Sequence, residues 1–177
     1  STLTGSPLEV TATATYRPII GDFRYGGVIF YIDATGQHGL VCAVTDQSTG
    51  AEWGCEGTII SGADGTAIGT GAQNTIDIIA GCATNGTAAD ICARLTLNSY
   101  DDWFLPSEDE LYQMYQNKAT INTTAVANSG TEFANEEYWT SSEVSILFAR
   151  LVSLSNGTKS QALKSANDRY VRAIREF

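Results

Sequence analysis

Residues 102–111 read DWFLPSEDEL, and this stretch carries the clearest structural signal in the chain. Ser107 stands before a run of acidic residues and Glu110 follows three positions later, which is the pattern of a capping box at a helix start. Acidic side chains in the first turn are stabilised by the positive end of the helix dipole. Leu111 and Met114 then follow at helical spacing. We therefore predict that a helix begins at Ser107 and buries this stripe.

Two shorter helices and two sets of strands are predicted on either side of this stretch. The helices cover residues 74–80 and 87–95, the second with Thr87 as its N-cap. One set of strands is a hairpin over residues 28–44. The other is a C-terminal antiparallel meander with strands at residues 138–141, 148–154, 159–163 and 170–175 and a turn at Asn156-Gly157. This order of elements is typical of an α+β fold.

Two further segments are predicted to be loops. Residues 54–73 are rich in glycine, and residues 118–137 are polar. The glycine-rich segment lacks the third glycine of a G-x-G-x-x-G motif and any Gly-Lys-Ser/Thr sequence. We therefore interpret it as a structural loop and not as a phosphate-binding site.

The composition is that of a secreted or surface protein. The chain has 177 residues, of which 43% are apolar and 17% charged, and its net charge is −10. A strongly acidic domain repels phosphate backbones and anionic lipids, so nucleic acid and membrane surfaces are poor partners. No apolar run approaches the roughly 20 residues that a membrane-spanning helix needs.

The four cysteines are disulfide candidates in an extracellular protein, and three pairings are open. Cys82 and Cys92 bracket a short segment that they could close, Cys55 could pair with either of them, and Cys42 lies in a predicted strand. The single histidine is His38 and no C-x-x-C pair occurs, so we predict no zinc site. No calcium loop of the D-x-D-x-D-G type occurs either. We predict no metal and no cofactor.

Catalytic motifs are missing from the sequence. It contains neither H-E-x-x-H nor G-x-S-x-G, and we expect that the protein is not an enzyme. An enzyme that acts on surface polysaccharide through two carboxylates remains an open alternative. Trp53, Trp103 and Trp139 could stack on sugar rings or fill a core, and we favour the core because tryptophan is heavily buried on average.

Five blocks of sequence that follow one another in order carry a family resemblance. They are GGVIFY at 26–31, GLV at 39–41, DWFLPS at 102–107 with Glu110-Leu111, YWTSS at 138–142 and YVRAIR at 170–175. This set resembles a family of bacterial surface domains that includes the C-terminal domain of the Legionella collagen-like adhesin. The family is similar to the C-type-lectin-like fold, which formylglycine-generating enzymes and phage tropism determinants share.

The resemblance covers roughly residues 22–177 and implies a domain with a mixed sheet, flanking helices, long loops and neighbouring chain ends. Residues 1–21 would then be an N-terminal arm or the end of a stalk. Such domains commonly terminate secreted or surface fibres, of bacterial or phage-like type, often as homotrimers. They bind a glycan or protein on another cell's surface.

The chain also departs from two functional patterns of this fold. Calcium-dependent sugar-binding lectins carry Glu-Pro-Asn or Gln-Pro-Asp followed by Trp-Asn-Asp, whereas this chain has neither tripeptide and reads Trp-Thr-Ser from Trp139. Formylglycine-generating enzymes use a cysteine pair near the C-terminus, and no cysteine follows Cys92 here. We therefore expect neither calcium-mediated sugar binding nor that enzymatic activity.

Candidate ligand-binding residues are the polar ones between the apolar blocks of the C-terminal half, because binding residues concentrate in loops. They are Ser142, Glu143, Ser145, Arg150, Asn156, Lys159, Asn167, Asp168 and Arg169. Arginine binds carboxylate or sulfate with two hydrogen bonds, and Asn and Asp bind hydroxyl groups. We expect a non-enzymatic adhesin or receptor-binding tip that binds through these loops. A structural cap that trimerises a fibre is the alternative.

Overall fold

A computed structural model describes residues 16–177, and this part of the chain forms an α+β fold with four helices and nine strands. In chain order the elements are β1 (Phe23–Arg24), β2 (Gly27–Ile32), β3 (Gly39–Cys42), β4 (Ser48–Ala51), α1 (Gly71–Gly81), α2 (Ala88–Ala93), α3 (Glu108–Gln116), α4 (Lys118–Ala127), β5 (Glu137–Glu143), β6 (Phe148–Ser153), β7 (Lys159–Leu163), β8 (Arg169–Val171) and β9 (Ile174–Glu176). The α+β prediction is confirmed. Residues 1–15 of the expected N-terminal arm lie outside the described residues.

The first sheet has the strand order β1-β2-β3-β9, with every neighbouring pair antiparallel. The predicted hairpin of residues 28–44 is confirmed as β2 and β3. The C-terminal strand β9 pairs with β3, where Val41 lies opposite Arg175. Tyr25 contacts both ends of the described chain, because its ring lies 4.5 Å from that of Phe177 and 6.5 Å from that of Tyr16. The expected closeness of the chain ends therefore holds for residues 16–177.

The second sheet has the order β4-β8-β5-β6-β7 and is mixed. Strands β5, β6 and β7 form the predicted meander, and the turn at Asn156-Gly157 joins the last two. The prediction that the meander continues antiparallel to the C-terminus is wrong. Strand β8 crosses to the far side of β5 and runs parallel to it, with Tyr138 opposite Tyr170, and β9 then joins the other sheet. The mixed sheet that the resemblance implied is thereby confirmed.

Three of the four helices follow the sequence predictions. Helix α3 begins with the expected capping box, in which the Ser107 side chain accepts from the Glu110 N–H and the Glu110 side chain accepts from the Ser107 N–H. Thr87 caps α2 as predicted. Helix α4 occupies a segment predicted to be a loop, so that prediction is wrong. Its sequence contains three Thr residues, and only Ile121 and Ala125 are buried.

Two clusters of buried side chains fill the interior, and all three tryptophans are in the first cluster, as predicted. Each indole N–H donates to a backbone carbonyl, as buried tryptophans require. Trp53 donates to Thr140 at 2.8 Å and Trp139 to Ala51 at 2.7 Å. Trp103 donates to Tyr100 at 3.2 Å. These rings therefore serve packing and are not exposed platforms for sugar.

One disulfide joins the start of the glycine-rich loop to the end of α1, between Cys55 and Cys82. Cys42 and Cys92 are free and buried, and the alternative closure of Cys82 with Cys92 is not formed. Burial raises the pKa of the Cys42 thiol to about 12 and that of Cys92 further still. Within residues 16–177 no helix combines the length and apolar character needed to cross a membrane.

Candidate functional site

Ser142 and Glu143 are buried at the end of β5, so the expectation that they lie on an exposed loop is wrong. The Ser142 hydroxyl donates to the carbonyl of Gly65 at 2.7 Å and accepts from the backbone N–H of Glu108 at 3.2 Å. The Glu143 carboxylate accepts from the N–H of Ile60 at 2.9 and 3.1 Å. Both side chains therefore hold the glycine-rich loop onto the second sheet.

Lys164 completes this anchor as the partner of Glu143, a pairing that no sequence motif predicted. Its fully buried ammonium group bonds Glu143, donates to the carbonyl of Thr58 at 2.8 Å and lies 4.7 Å from the centre of the Trp53 ring. A buried carboxylate and ammonium group are tolerated only when they are paired and their remaining hydrogen bonds are made. The partners of this pair come from segments far apart in sequence, which explains why sequence reasoning missed it.

Asn167, Asp168 and Arg169 lie together before and in β8, away from the buried anchor. Arg169 pairs with Asp168 at 2.5 Å, and its Nε lies 3.1 Å from Glu137 without the alignment of a hydrogen bond. Glu137 also accepts from the Ser160 hydroxyl at 3.2 Å. This group is a set of exposed or half-buried ion pairs at the β4 side of the sheet.

Ser145 and Asn156 occupy the turns at the two ends of β6. The Ser145 hydroxyl accepts from the N–H of Leu147 at 3.2 Å, and the Asn156 side chain accepts from the N–H of Thr158 at 2.9 Å. Both side chains thus stabilise their own turns. The turn with Asn156 is exposed and its Gly157 lies against the ring of Tyr115 on α3.

Arg150 and Lys159 converge on the first turn of α3, and with Glu108, Asp109 and Tyr112 they form what we call the α3–β7 surface. Arg150 Nη1 donates to Glu108 at 3.0 Å. Lys159 Nζ lies 2.6 Å from Asp109 and 3.3 Å from Glu108. The side chains of Arg150 and Lys159 are 38% and 36% exposed, so a ligand can reach them. Two of the predicted ligand residues are therefore brought together at one accessible place.

Two elements position this surface. In the β6–β7 pair Arg150 lies opposite Gln161 and Val152 opposite Lys159, so both cationic side chains project from the same face of the sheet. The capping box fixes where α3 begins and turns Glu108 towards that face. Tyr112 follows one helical turn after Glu108, and its ring centre lies 4.9 Å from Lys159 Nζ.

The electrostatics of the α3–β7 surface leave hydrogen-bond donors in excess. Partial burial by itself lowers the pKa of Lys159, but the hydrogen bonds and charges of Asp109 and Glu108 outweigh it and the pKa is raised. A guanidinium group carries five N–H donors, and Arg150 uses one of them on Glu108. Its Nε is buried without a hydrogen-bond partner among the described residues. The buried Nε is out of reach of a ligand, but the remaining N–H groups of the partly exposed Arg150 side chain can donate to a group that carries acceptor oxygens.

Two other carboxyl groups are engaged in hydrogen bonds within the protein. Glu110 is fully buried and accepts from the N–H groups of Gly69 and Ser107, each at 2.7 Å. Burial raises the pKa of Glu110, and it also raises the pKa of Asp46, which bonds Arg172 and Tyr138.

Within residues 16–177 no group of three or more His, Cys, Asp and Glu side chains is arranged to hold a metal ion.

An apolar groove of about 350 Å³ lies apart from the α3–β7 surface, between α1, α2 and residues 102–104. Its walls include Ile76, which is 60% exposed, and Ile79, while Trp103 and Phe104 form part of its base. Sequence reasoning missed this groove. The sequence predicted only a short helix over residues 74–80 in this region.

Residues 16–177 form an α+β domain in which paired, partly exposed charges meet at the start of α3, in a chain of net charge −10. The chain belongs to the Lcl C-terminal domain family, whose model matches residues 42–175. This domain is found in surface-exposed collagen-like proteins, so the chain is a domain of a surface-associated fibre protein. The family membership inferred from the five sequence blocks is confirmed. No curated protein matches the chain.

Proposed function

We propose that this domain is the non-enzymatic binding tip of a secreted or surface fibre, and that it binds a glycan or protein on another cell through the α3–β7 surface. The observation that carries the proposal is the convergence of Arg150 and Lys159 beside Tyr112 on an accessible face. Surplus N–H donors suit carboxylate, sulfate or hydroxyl oxygens, and an aromatic ring beside them suits the apolar face of a sugar. Membership of a family of surface-exposed fibre domains supports the same function.

The state of the acidic residues supports a binding role over catalysis. A glycosidase needs one carboxyl group held protonated beside its substrate and a second one across from it. The two carboxyl groups with raised pKa values, Glu110 and Asp46, are engaged in internal hydrogen bonds. Asp109, which is partly exposed, and Glu108, which is buried beside it, are each bonded to a cationic side chain.

The test is a glycan array probed with the native oligomer, in the presence of calcium and again after chelation. We expect a hit that survives chelation, together with saturable attachment to cell surfaces and no turnover. Arg150→Ala and Lys159→Ala should each weaken this binding about tenfold or more, the loss typical of a charge-assisted hydrogen bond. Arg94→Ala removes the same charge from an exposed pair with Asp90 on α2 and is the matched control.

Three outcomes would contradict the proposal. Release of sugar from a polysaccharide would identify an enzyme. Binding that is unchanged in the Arg150 and Lys159 variants, while their thermal unfolding is close to wild type, would exclude the α3–β7 surface. Neither an array hit nor attachment to cells, from a protein that sediments as a trimer, would favour the structural cap.

A further inference from the structure

We propose that the outer edge of β7 binds an extended peptide segment of a partner protein, which adds to the second sheet as a further strand. The inference rests on the proposed function, because it names a class of partner for the α3–β7 surface. The bonds that would form are main-chain hydrogen bonds to β7, with side chains at the two ends of the strand setting the specificity.

The register of β7 decides which backbone groups are free. Among the described residues, strand β7 is the last strand of its sheet and pairs only with β6. Just before β7 the N–H of Ser153 donates to the carbonyl of Thr158 at 2.9 Å, and just after β7 the N–H of Lys164 donates to the carbonyl of Leu147 at 2.9 Å. Hydrogen-bonded pairs in an antiparallel ladder recur at every second residue. Even-numbered residues of β7 therefore bond β6, and the N–H groups of residues 159, 161 and 163 point outward.

These outward groups have no partner within residues 16–177. No hydrogen bond from that part of the chain reaches the N–H of Lys159, Gln161 or Leu163, and the carbonyls of Lys159 and Gln161 are equally free. The Leu163 carbonyl accepts from Ala166 at 2.9 Å, which ends the strand. All three residues are exposed, and the intervening Ser160 and Ala162 are small. On the face that Ser160 and Ala162 occupy, an added strand would therefore meet only small side chains.

The other sheet edges among the described residues are protected in ways that β7 is not. Strand β1 has two residues, too few to template a partner. Strand β4 has an irregular register, and β9 is covered by a bridge between Phe104 and Ile174. The register of β7 on β6 is regular over five pairs. Natural sheets shorten, bulge or cover their edges to prevent pairing, so a regular open edge marks a place where pairing is tolerated or used.

The two ends of β7 differ in chemistry and thereby define the partner. At one end Lys159 and Arg150 are paired with Glu108 and Asp109 of α3 but keep further N–H donors, and neither β6 nor β7 contains an acidic residue. At the other end Leu163 is exposed beside the apolar turn residues Ile146 and Leu147. An antiparallel partner would therefore present an apolar side chain opposite Leu163 and, four residues later, a carboxylate opposite Lys159.

A second copy of this chain fits the edge less well. An antiparallel β7–β7 pair centred on Gln161 would place Lys159 opposite Leu163, so neither end would meet its complement. Each copy also carries a net charge of −10, and like-charged molecules repel one another. The partner we infer is therefore a different protein with an extended apolar-to-acidic segment.

The probe for the test is the peptide acetyl-Thr-Leu-Thr-Val-Thr-Glu-Thr-amide, whose Leu, Val and Glu would lie opposite Leu163, Gln161 and Lys159. Binding is measured by the shifts of backbone amide resonances during titration of the intact domain. Gln161→Pro removes the outward N–H, and proline is tolerated at edge-strand positions whose N–H is not used by the ladder. Gln161→Ala keeps that N–H and is the matched control. We expect Gln161→Pro to raise the Kd about tenfold or more and Gln161→Ala to leave it within about twofold.

A second arm keeps the test decisive if Gln161→Pro does not fold. Methylating the backbone nitrogen of the peptide's Val removes the donor that would bond the Gln161 carbonyl, whereas methylating that of the Thr after it alters a group that points away from β7. The first change should abolish binding and the second should not. The inference is overturned if the unmodified peptide does not bind, if both methylated peptides bind equally, or if Gln161→Pro dissociates the native oligomer and so identifies the edge as a contact between copies.

The two proposals fail in distinguishable ways. Gln161→Pro leaves the Arg150 and Lys159 side chains in place, so it should lose the peptide and keep a glycan-array hit. Arg150→Ala should lose glycan binding but weaken peptide binding only in part, because the main-chain hydrogen bonds of β7 remain. Peptide binding that is insensitive to both Gln161→Pro and peptide methylation would overturn the strand addition alone.

Discussion

The buried ion pair of Lys164 and Glu143 holds a long loop that has little regular structure of its own. Their pair is completely buried and bridges the loop at Thr58 and Ile60 to the end of β5. We expect Lys164→Met to destabilise the domain by about 3–5 kcal/mol, because it leaves an uncompensated buried carboxylate. The free energy of unfolding in urea measures this effect.

The control for this prediction is Lys159→Met, which removes an exposed lysine that also pairs with acidic side chains. We expect it to cost no more than about 1 kcal/mol, since exposed ion pairs contribute little. The double variant Lys164→Met with Glu143→Leu should recover much of the loss, because both charges are then absent from the interior. Equal losses in Lys164→Met and Lys159→Met would contradict the role assigned to burial.

Residue by residue, the sequence predicted burial well for aromatic side chains and poorly for polar ones. The three tryptophans were placed in the core on their type alone, and the structure confirms this. Ser142 and Glu143 were predicted to lie on the surface because their side chains are polar, yet the glycine-rich loop covers them. The bonds that make their burial tolerable involve residues about eighty positions away, at Gly65 and Ile60. No local pattern contains that information.

At the scale of the elements, Glu110 links two helices. Its carboxylate closes the capping box of α3 at Ser107 and also accepts from Gly69, just before α1. The N-cap of α1, Thr70, makes no side-chain capping bond, so Glu110 supplies from another helix what the local sequence lacks. The S-x-x-E spacing predicts the bond of Glu110 to Ser107 within α3. It does not predict the bond to Gly69, which lies in a different segment of the chain.

The raised pKa of Glu110 predicts the pH dependence of its contribution. A carboxyl group whose pKa is raised by burial binds its proton more tightly in the folded state than in the unfolded state. Its stabilising contribution is therefore complete below the ordinary Glu pKa of about 4.3 and is lost as the pH rises through the raised value. We expect the stability difference between wild type and Glu110→Gln to shrink as the pH rises from acid to neutral.

The contribution of Asp102 to stability should depend on pH in the opposite direction, so Asp102 serves as a control. Hydrogen bonds from Arg175, opposed by partial burial, lower the pKa of the Asp102 carboxyl group. The contribution of Asp102 is therefore complete above its ordinary pKa and is lost as the pH falls through the lowered value. The stability difference between wild type and Asp102→Asn should shrink towards acid pH. Parallel pH profiles for the Glu110 and Asp102 variants, from chemical denaturation, would contradict the assignment.

Helices and strands with strong local signals were predictable, and α4 shows the limit. Its stretch KATINTTAVA contains three threonines, which have low helix propensity, and its apolar face is reduced to Ile121 and Ala125. Contact of this face with β2 compensates for the weak propensity. A helix that depends on tertiary packing in this way leaves little trace in its own sequence.

At the scale of the whole molecule, the sequence predicted the class of fold but not the path of its last two strands. The meander of β5, β6 and β7 follows from alternation and one Asn-Gly turn, both of which are local. The crossing of β8 to the far side of β5 and the return of β9 to the first sheet depend on which sheet edges remain open. The α3–β7 surface was predictable in part, because Arg150 and Lys159 were candidates. The contact of these two side chains with α3 could not be predicted, because it depends on the register of β7 on β6.

The covalent link of the molecule is the disulfide between Cys55 and Cys82, which encloses nearly the whole glycine-rich loop and α1. A cross-link over this separation restricts the unfolded chain, and we expect the double variant Cys55→Ala, Cys82→Ala to lose about 2–4 kcal/mol of stability. Urea denaturation measures the loss, and adding reductant should destabilise the wild type but not the variant. Cys42 and Cys92 should resist alkylation in the native protein, because burial raises both thiol pKa values. Equal stability of wild type and double variant would mean that the buried Glu143–Lys164 anchor, and not the disulfide, holds the loop.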